Sequence, residues 1–247
     1  MENWKSIWSS KELARNSTFN LSDLIVANGF DTGVGSYDEV KWREMVSDFI
    51  KRTGLAKNAS ILELGCGSGA FLYSLNEDVK AHYFGVDYSP NLINIAKTVL
   101  PTAKLAVAEA KDSVFDNINF DVIFSHSVFQ YFPSIEYAEA VIVKWCKKIK
   151  VGGKLVLLDI NDKEKESTYH NERMLAYRNP AEYYETYKGL THLFFEKSSL
   201  IEILKKCGMN QLEIFPHATA DYGNSKFRFN IICTKNYQGK SEVKKID

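Results

Sequence analysis

Three glycines in five residues, Gly65, Gly67 and Gly69, follow the apolar run ILEL and precede a helix-forming segment. Glycine adopts backbone conformations that other residues avoid, and its missing side chain allows a ligand to lie against the main chain. A turn that opens a helix also exposes free N–H groups, which suit polar or anionic ligands. The turn therefore predicts a site for a cofactor of the nucleotide type.

Acidic residues flank this turn where such a cofactor would need them. Glu63 lies within the apolar run, and Asp87 ends the second apolar run, HYFGVD. A carboxylate at the end of a second strand can accept hydrogen bonds from the hydroxyls of a ribose. Dinucleotides are one cofactor class that fits, because Gly65, Gly67 and Ala70 satisfy their G-x-G-x-x-G/A pattern.

Four motifs in order point to a second class. The chain resembles the class I S-adenosylmethionine (SAM)-dependent methyltransferases, whose first motif is an acidic residue followed by G-x-G-x-G. Later matches are AEAKDSVF at 108–115, FDVIFSHSVFQYF at 120–132 and KVGGKLVLLDI at 150–160. The resemblance implies SAM as the methyl donor and S-adenosylhomocysteine as the product. An NAD-dependent oxidoreductase stays open as the alternative.

The resemblance also implies which residues hold the donor. Asp87 would bind the ribose, and Glu109, where the family more often has Asp, would bind the adenine amino group. A further expectation comes from the residues themselves: the glycine-rich segment 30–42, next to the start of an aromatic-bearing helix, would fold over the donor as a lid and bring Tyr37 to it. The residues expected to bind the cofactor are Tyr37, Glu63, Gly65, Gly67, Asp87, Tyr88, Glu109, Ala110 and Ser125.

Apolar runs alternate with helical patterns after residue 60, and these elements must position the residues above. The runs that read as strands are 61–64, 82–86, 104–108, 120–125 and 154–160, followed by 211–215 and 227–234. Such alternation predicts an α/β fold with a Rossmann-like, doubly wound sheet of seven strands. We expect a mostly parallel sheet, with the last strand antiparallel beside the sixth and a helical insertion after the fifth.

Two regions depart from the alternation and set the predicted domain boundaries. Residues 1–57 carry an amphipathic helix behind a turn-rich segment and are expected to form a helical lid or cap. Residues 58–235 would form the methyltransferase domain, with the polar, tyrosine-rich stretch 161–191 as its helical insertion. Residues 236–247 are expected to be a flexible tail.

The amino-acid composition limits which partners and which location we expect for the chain. Lys and Arg number 31, as do Asp and Glu, so the neutral chain argues against nucleic acid or an anionic membrane as a partner. The N-terminal segment lacks the apolar core of a signal peptide, and no run has membrane-spanning length. Four cysteines without a CxxC pair suggest reduced thiols and no metal site. We expect a cytoplasmic monomer or homodimer.

Histidines are candidates for the chemistry, because a neutral imidazole can take a proton from a hydroxyl acceptor near pH 7. His126 follows the fourth strand, in the loop that the resemblance turns toward the donor, and His192 ends the insertion. Both are predicted catalytic residues. The acceptor is expected to contact Arg173, Tyr183, Tyr187 and His217.

These residues predict methyl transfer to an oxygen of a small, anionic, phosphorylated or sugar-type metabolite. The fourth-strand loop SHSV differs from the Asn/Asp-Pro-Pro-aromatic run of DNA and glutamine N-methyltransferases. Similarity to bacterial small-molecule methyltransferases adds the tailoring of surface polysaccharides as one setting. N-methylation of a small molecule and a non-catalytic SAM-binding role stay open.

Overall fold

A seven-stranded sheet forms the centre of the computed structural model, which describes residues 4–11, 18–31, 35–112, 114–219 and 222–236. The strands are β1 (Ser60–Leu64), β2 (His82–Asp87), β3 (Lys104–Val107), β4 (Phe120–His126), β5 (Ile149–Asn161), β6 (Met209–Phe215) and β7 (Arg228–Lys235). Their order across the sheet is β3-β2-β1-β4-β5-β7-β6. Neighbours from β3 to β5 are parallel, whereas β7 is antiparallel to both β5 and β6. The predicted sheet is confirmed.

Helices connect and cover these strands. They are α1 (Trp4–Ser9), α2 (Leu21–Ala27), α3 (Glu39–Thr53), α4 (Ala70–Asp78), α5 (Pro90–Val99), α6 (Ile135–Cys146), α7 (Glu166–Met174), α8 (Pro180–Thr186) and α9 (Lys197–Lys206). Helix α5 begins as the pair Ser89-Pro90 favours: the Ser89 side chain accepts the N–H of Leu92, and Pro90 occupies the first turn. Apolar residues recur at helical spacing from Ala138 to Ile149, but α6 ends at Cys146 and Ile149 begins β5.

Successive side chains along a strand point to opposite faces of the sheet, so they pack into two hydrophobic cores, one on each face. On one face Ile61 and Phe124 pack with Trp42 of α3 and Phe71 of α4. On the other face the neighbouring strand residues pack with side chains of α6 and α9, such as Trp145 and Leu204. The sheet is therefore covered on both faces, and polar ligands can enter at the carboxyl ends of its strands.

Strand β5 is irregular where it reaches that edge. Its pairing with β7 shifts register between Leu157 and Ile160. Asp159 lies in the shift with φ +63°, in the left-handed region that Asp tolerates better than most residues. The side chain of Asn230 on β7 accepts the Asp159 N–H at 2.8 Å. The irregularity turns the Asp159 carboxylate into the protein, among polar groups at the carboxyl end of the sheet.

The two regions outside the alternation are helical where they are described. Helices α1 to α3 lie within residues 1–57, and α7 and α8 lie within the insertion 161–191. The predicted tail lies outside the described residues from 237 onward, and so do residues 32–34 of the segment expected to cover the donor. Among the helices that the structure describes, none combines the length and apolar character needed to cross a bilayer.

Candidate active site

A cavity of about 1030 Å³ opens at the carboxyl ends of β1, β2 and β4. Pockets that hold one drug-sized ligand measure roughly 300–1,000 Å³, so this cavity has room for a donor and a small acceptor. Predicted site residues that line it are Glu63, Gly65, Gly67, Asp87, Tyr88, Glu109, Ala110, His126, Arg173, Tyr187 and His192. The fold thus brings both predicted histidines to the cavity that the glycine turn lines.

The glycine turn is hydrogen-bonded to the neighbouring strand β2, and the side chains of two other residues pack closely against it. The N–H groups of Gly65 and Cys66 donate to the Val86 carbonyl at 2.7 and 3.0 Å. Gly65 and Gly67 have φ values of +76° and +52°. A Cβ at Gly65 would collide with the Val128 side chain, and one at Gly67 with that of Asn28. These positions therefore need glycine even before a ligand binds.

Asp87 ends β2 beside this turn and is partly buried. Its two carboxylate oxygens accept the N–H groups of Gly67 at 2.9 Å and Ser89 at 2.8 Å. Burial raises the pKa of Asp87 to about 6, while these two hydrogen bonds oppose the rise. Each oxygen retains a further lone pair, so the carboxylate can accept hydroxyl groups of a bound ribose.

Glu63 presents a second carboxyl group to the cavity. It is 3% exposed, and its Oε2 has no hydrogen-bond partner within the described part of the chain. Burial and the nearby Asp87 raise the pKa of Glu63 well above its ordinary value. A buried polar atom without a partner is rare in a native protein, and here it suits a ligand with a hydrogen-bond donor, such as an amino group.

The end of the cavity that Tyr88, Glu109 and Ala110 line is covered by α1. Glu109 accepts a hydrogen bond from Tyr137 at 3.1 Å and forms an ion pair with Lys5. The Tyr88 hydroxyl donates to the Trp4 carbonyl at 3.4 Å. Ala110 also lines the cavity, although its carbonyl accepts the Trp145 indole N–H at 2.6 Å. Helix α1 therefore covers the part of the cavity that the resemblance assigns to adenine.

His126, the last residue of β4, is walled by aromatic rings. Its ring centroid lies 5.3 Å from Phe30, 5.4 Å from Trp42 and 5.5 Å from Phe71. Burial lowers the pKa of His126 to about 4, so the imidazole is neutral near pH 7. Its Nε2 is buried and finds no partner among the described residues. The side chain is thus a neutral imidazole with a nitrogen free to meet a ligand.

His192 lies across the cavity in a different setting. Its ring is stacked on Trp4 with centroids 4.6 Å apart and an interplanar angle of 12°. The Tyr169 hydroxyl lies 3.1 Å from its Nδ1. Burial, together with the cations Arg228 and Arg173, lowers the pKa of His192 to about 3. His192 is therefore also neutral, and its contacts fix the ring in place.

Arg173 projects from α7 toward the cavity. Its guanidinium donates to the hydroxyls of Tyr169 at 2.8 Å and Tyr187 at 2.5 Å, and its centre lies 5.0 Å from both rings. No carboxylate lies within ion-pair distance of it in the described ranges. A held cation that lacks a carboxylate partner can receive an anionic group of a ligand.

Four predicted site residues lie outside the cavity wall. The Ser125 hydroxyl donates to the Leu64 carbonyl at 2.9 Å, within the sheet. The Tyr183 hydroxyl lies 2.7 Å from His170 Nδ1. Tyr37 and His217 pair with each other at 3.2 Å, behind the cavity. The structure therefore does not bring Tyr37, Ser125, Tyr183 or His217 to the cavity, and their predicted contacts with ligands find no support in it.

A polar cluster that the sequence did not indicate forms the wall opposite the glycine turn. Arg228 pairs with the buried Asp159, whose second oxygen lies 2.8 Å from His217 Nε2. Although burial opposes it, the Arg228 cation holds the pKa of Asp159 well below its ordinary value. Tyr222 and Asn224 complete the cluster and line the cavity with Arg228. The one sequence signal was an acidic residue inside the apolar strand KLVLLDI.

Metal ligands are not gathered at this site. Among the residues that the structure describes, no group of three or more His, Cys, Asp or Glu side chains could hold a metal ion.

The family model described as "Methyltransferase domain" matches residues 55–212. Phosphoethanolamine N-methyltransferase of Plasmodium falciparum is 30% identical over 116 residues, which are 46% of this chain and 43% of that protein. Sterol 4-C-methyltransferase strm-1 of Caenorhabditis elegans is 26% identical over 125 residues, 47% of this chain and 36% of that protein. The chain spans less than half the length of these curated relatives.

Solved structures share the fold at low sequence identity. Magnesium protoporphyrin IX methyltransferase from Synechocystis PCC 6803, solved with SAM, superposes with a TM-score of 0.58 at 14% identity, over 90% of this chain and 100% of that one. Phosphoethanolamine N-methyltransferase 2 of Haemonchus contortus, solved with phosphomonomethylethanolamine and S-adenosylhomocysteine, has a TM-score of 0.59 at 15% identity, over 89% and 58% of the two chains.

Proposed function

The chain belongs to the methyltransferase-domain family, and from this membership we propose that it transfers the methyl group of SAM to an oxygen of a small, anionic acceptor. Membership confirms the predicted class and SAM as its methyl donor, and it leaves the dinucleotide alternative without support. The single observation that carries the acceptor chemistry is the free Nε2 of His126, a neutral and buried imidazole on the cavity wall.

The residues present fit SAM. Its sulfonium supplies an activated methyl group when bound. We propose that Asp87 accepts hydrogen bonds from the ribose hydroxyls of SAM. The buried Oε2 of Glu63, which has no partner in the described structure, would accept a hydrogen bond from the amino group of SAM. Both carboxyl groups line the cavity beside the glycine turn. Gly65 and Gly67 then allow the donor to lie close to the main chain, and Glu109 lies at the adenine end.

His126 is proposed to take the proton of the acceptor hydroxyl. The residue ends β4, which lies between β1, with the glycine turn, and β5 in the sheet. The low pKa of His126 keeps the imidazole neutral near pH 7, so one of its ring nitrogens has a lone pair for the proton of the acceptor. The aromatic wall of Phe30, Trp42 and Phe71 excludes water around it. A positioned base of this kind typically accelerates a reaction by about 10²–10⁴-fold.

Arg173 is proposed to bind the anionic group of the acceptor. The two phenols that hold its guanidinium carry no formal charge at neutral pH, so the cation is not neutralised within the described structure. Tyr187 and His192 line the same part of the cavity. A phosphate or carboxylate placed there would gain charge-assisted hydrogen bonds from the guanidinium. His192 then orients the acceptor rather than taking a proton.

N-methylation of a small amine is the second candidate. It is favoured by the similarity to phosphoethanolamine N-methyltransferases, whose name indicates a phosphorylated amine. Arg173 would bind the anionic group in this reaction too, and His126 could take the proton of an ammonium group. The structure of the methylated product, determined by NMR, separates the two candidates.

The cavity is partly covered by α1, and this cover supports a small acceptor over nucleic acid. Helix α1 covers one end through Trp4, whose indole N–H donates to the Thr191 carbonyl at 2.9 Å. We propose that residues 1–57 act as a cap on the catalytic domain 58–235. Hydrogen exchange of α1, measured with and without SAM, tests this: equal exchange rates would oppose a cap. We also propose that the chain acts in the cytoplasm, as a monomer or homodimer, in the tailoring of surface polysaccharides. Methylation of sugar-type acceptors would support that setting.

A screen for S-adenosylhomocysteine formation tests the proposed function. The purified chain is incubated with SAM and single small molecules: sugar phosphates, hydroxy acids, amino-alkyl phosphates and their uncharged analogues. We expect product only with anionic acceptors, and a loss of turnover in His126→Gln. Product formation that requires nucleic acid or protein, or that is equal for charged and uncharged analogues, would contradict the proposal.

A further inference from the structure

Two buried polar atoms on the cavity wall opposite the glycine turn have no hydrogen-bond partner in the described part of the chain. They are Nε of Arg228 and Oδ1 of Asn224. The two residues are only 9% and 5% exposed, and both line the cavity. Nearly all buried polar groups in native proteins are hydrogen-bonded, so an unpaired donor and an unpaired acceptor on two residues that share the Tyr222 hydroxyl call for an explanation.

The Tyr222 hydroxyl fixes which atom donates and which accepts. It receives the Asn224 amide N–H at 3.2 Å and the Arg228 Nη1–H at 3.2 Å, and it donates to Asp159 at 3.5 Å. Because its proton points to Asp159, Asn224 must present its NH₂ group to Tyr222. The Oδ1 of Asn224 therefore remains an acceptor, and Nε–H of Arg228 remains a donor.

The charge of Arg228 is already balanced. Its Nη1 forms an ion pair with Asp159 and also donates to the Ser127 hydroxyl at 3.3 Å. An anionic ligand would therefore gain less here than at Arg173, which has no carboxylate partner among the described residues. The Arg228 wall is suited to an uncharged polar group.

These two atoms lie on the acceptor side of the cavity. Arg228 begins β7, which the sheet order places three strands from β1, roughly 14 Å at about 4.8 Å per strand. Its contact Ser127 directly follows His126 in the chain. A group that binds Arg228 and Asn224 therefore lies near the atom that is methylated, and away from the donor site at the glycine turn.

We infer that the acceptor carries a second hydroxyl group beside the methylated one, which donates to Asn224 Oδ1 and accepts from Arg228 Nε. This rests on the proposed function and narrows the acceptor to polyhydroxylated anions, the chemistry of sugar and polyol phosphates or acids. A carboxylate or phosphate at this place would face the Asn224 oxygen, acceptor against acceptor. An ammonium would face the Arg228 N–H, donor against donor. A hydroxyl satisfies both atoms.

Matched acceptors test the inference. S-adenosylhomocysteine formation is measured with sugar phosphates, with the deoxy analogue of each that lacks one hydroxyl, and with phosphoethanolamine, which has none. A site built to hydrogen-bond a hydroxyl rejects an analogue without it by up to about 10⁴–10⁵. Once NMR has identified the methylated hydroxyl, we expect a second deoxy position, other than that one, at which kcat/KM falls at least about tenfold. Equal turnover of every pair that keeps the methylated hydroxyl would overturn the inference.

The variant Asn224→Ala supplies the second measurement, with Asn210→Ala on the exposed surface of β6 as its control. Asn224→Ala should lower kcat/KM for the hydroxylated acceptor about tenfold or more, change the deoxy analogue little, and leave SAM affinity within about twofold. An equal loss with both acceptors would show that Asn224 supports the wall without binding the second hydroxyl, and would overturn the inference.

Failure of the inference differs from failure of the proposed function. If only hydroxyl-free anions such as phosphoethanolamine are methylated, methyl transfer stands and the hydroxyl subsite is refuted. If SAM binds and no small molecule yields S-adenosylhomocysteine, the proposed function fails and the inference fails with it.

Discussion

The N–H of Gly67 donates to Oδ2 of Asp87 at 2.9 Å, so the glycine turn after β1 and the carboxylate that ends β2 hold each other in place. The other carboxylate oxygen accepts the Ser89 N–H at the start of α5. Asp87 therefore fixes the shape of the donor site before any ligand binds. Burial raises the pKa of Asp87, so SAM binding should depend on pH.

Replacing Asp87 with Asn should weaken SAM binding by about 1.5–3 kcal/mol, because a hydrogen bond to a charged group is lost. Burial raises the pKa of Asp87 to about 6, so the wild-type carboxylate becomes protonated as the pH falls through that value. The SAM affinity of the wild type should accordingly decrease below pH 6, whereas the affinity of Asp87→Asn should show no such decrease. Calorimetric titrations between pH 5 and 8 measure both. An unchanged affinity in the folded variant would refute the ribose assignment.

His126→Gln should reduce kcat by about 10²–10⁴-fold and leave SAM affinity within about twofold, since the variant loses only the base. The pKa of His126 is lowered to about 4 by burial, so its imidazole is unprotonated from pH 5.5 to 8. The ratio of wild-type to variant kcat should be constant over that range and decrease as the pH approaches 4. Taking the ratio cancels the ionisation of the acceptor. A ratio near one, or a break near pH 6.5, would exclude His126 as the base.

Arg173→Gln should raise KM for the anionic acceptor by about tenfold or more, because a charge-assisted hydrogen bond contributes about 1.5–3 kcal/mol. The matched control is Arg178→Gln, an exposed arginine of the same insertion that does not line the cavity. Steady-state kinetics with one acceptor measure both variants. Equal effects of the two substitutions would place the anionic group elsewhere.

Gly65→Ala should lower the free energy of unfolding more than Gly152→Ala. Both glycines have positive φ, +76° and +79°, so alanine costs about 1–2 kcal/mol at either position. A Cβ at Gly65 meets the Val128 side chain, whereas one at Gly152 meets nothing within 4 Å. The overpacking adds roughly 1–3 kcal/mol at Gly65. Urea unfolding measures the difference, and equal losses would show that Val128 yields without cost.

The donor half of the site could be predicted from the sequence because its residues follow single strands. Gly65 follows the first strand, Asp87 ends the second and Glu109 follows the third, and parallel strands bring their carboxyl ends to one edge. Local patterns of apolar residues, glycines and caps are sufficient to place such residues. The same reasoning placed His126 in the loop directly after the fourth strand, whereas in the structure it is the last residue of β4.

The acceptor half could not be predicted in this way. Asp159, Tyr222 and Arg228 meet only because β7 inserts between β5 and β6 and a register shift in β5 turns Asp159 inward. No periodicity in the sequence signals either event. Tyr37 and His217 were expected at the cavity, yet they pair behind it across 180 residues of chain. Long-range contacts of this kind are decided by packing.

A crystal structure of the chain with S-adenosylhomocysteine tests the central claim most directly, because it locates the donor between Asp87 and His126. We predict that both ribose hydroxyls lie within about 3 Å of the Asp87 carboxylate. The sulfur should face the His126 side of the cavity, with the Arg173 and Asn224 side chains beyond it. A ribose bound away from Asp87, or a sulfur that faces away from His126, would contradict the account.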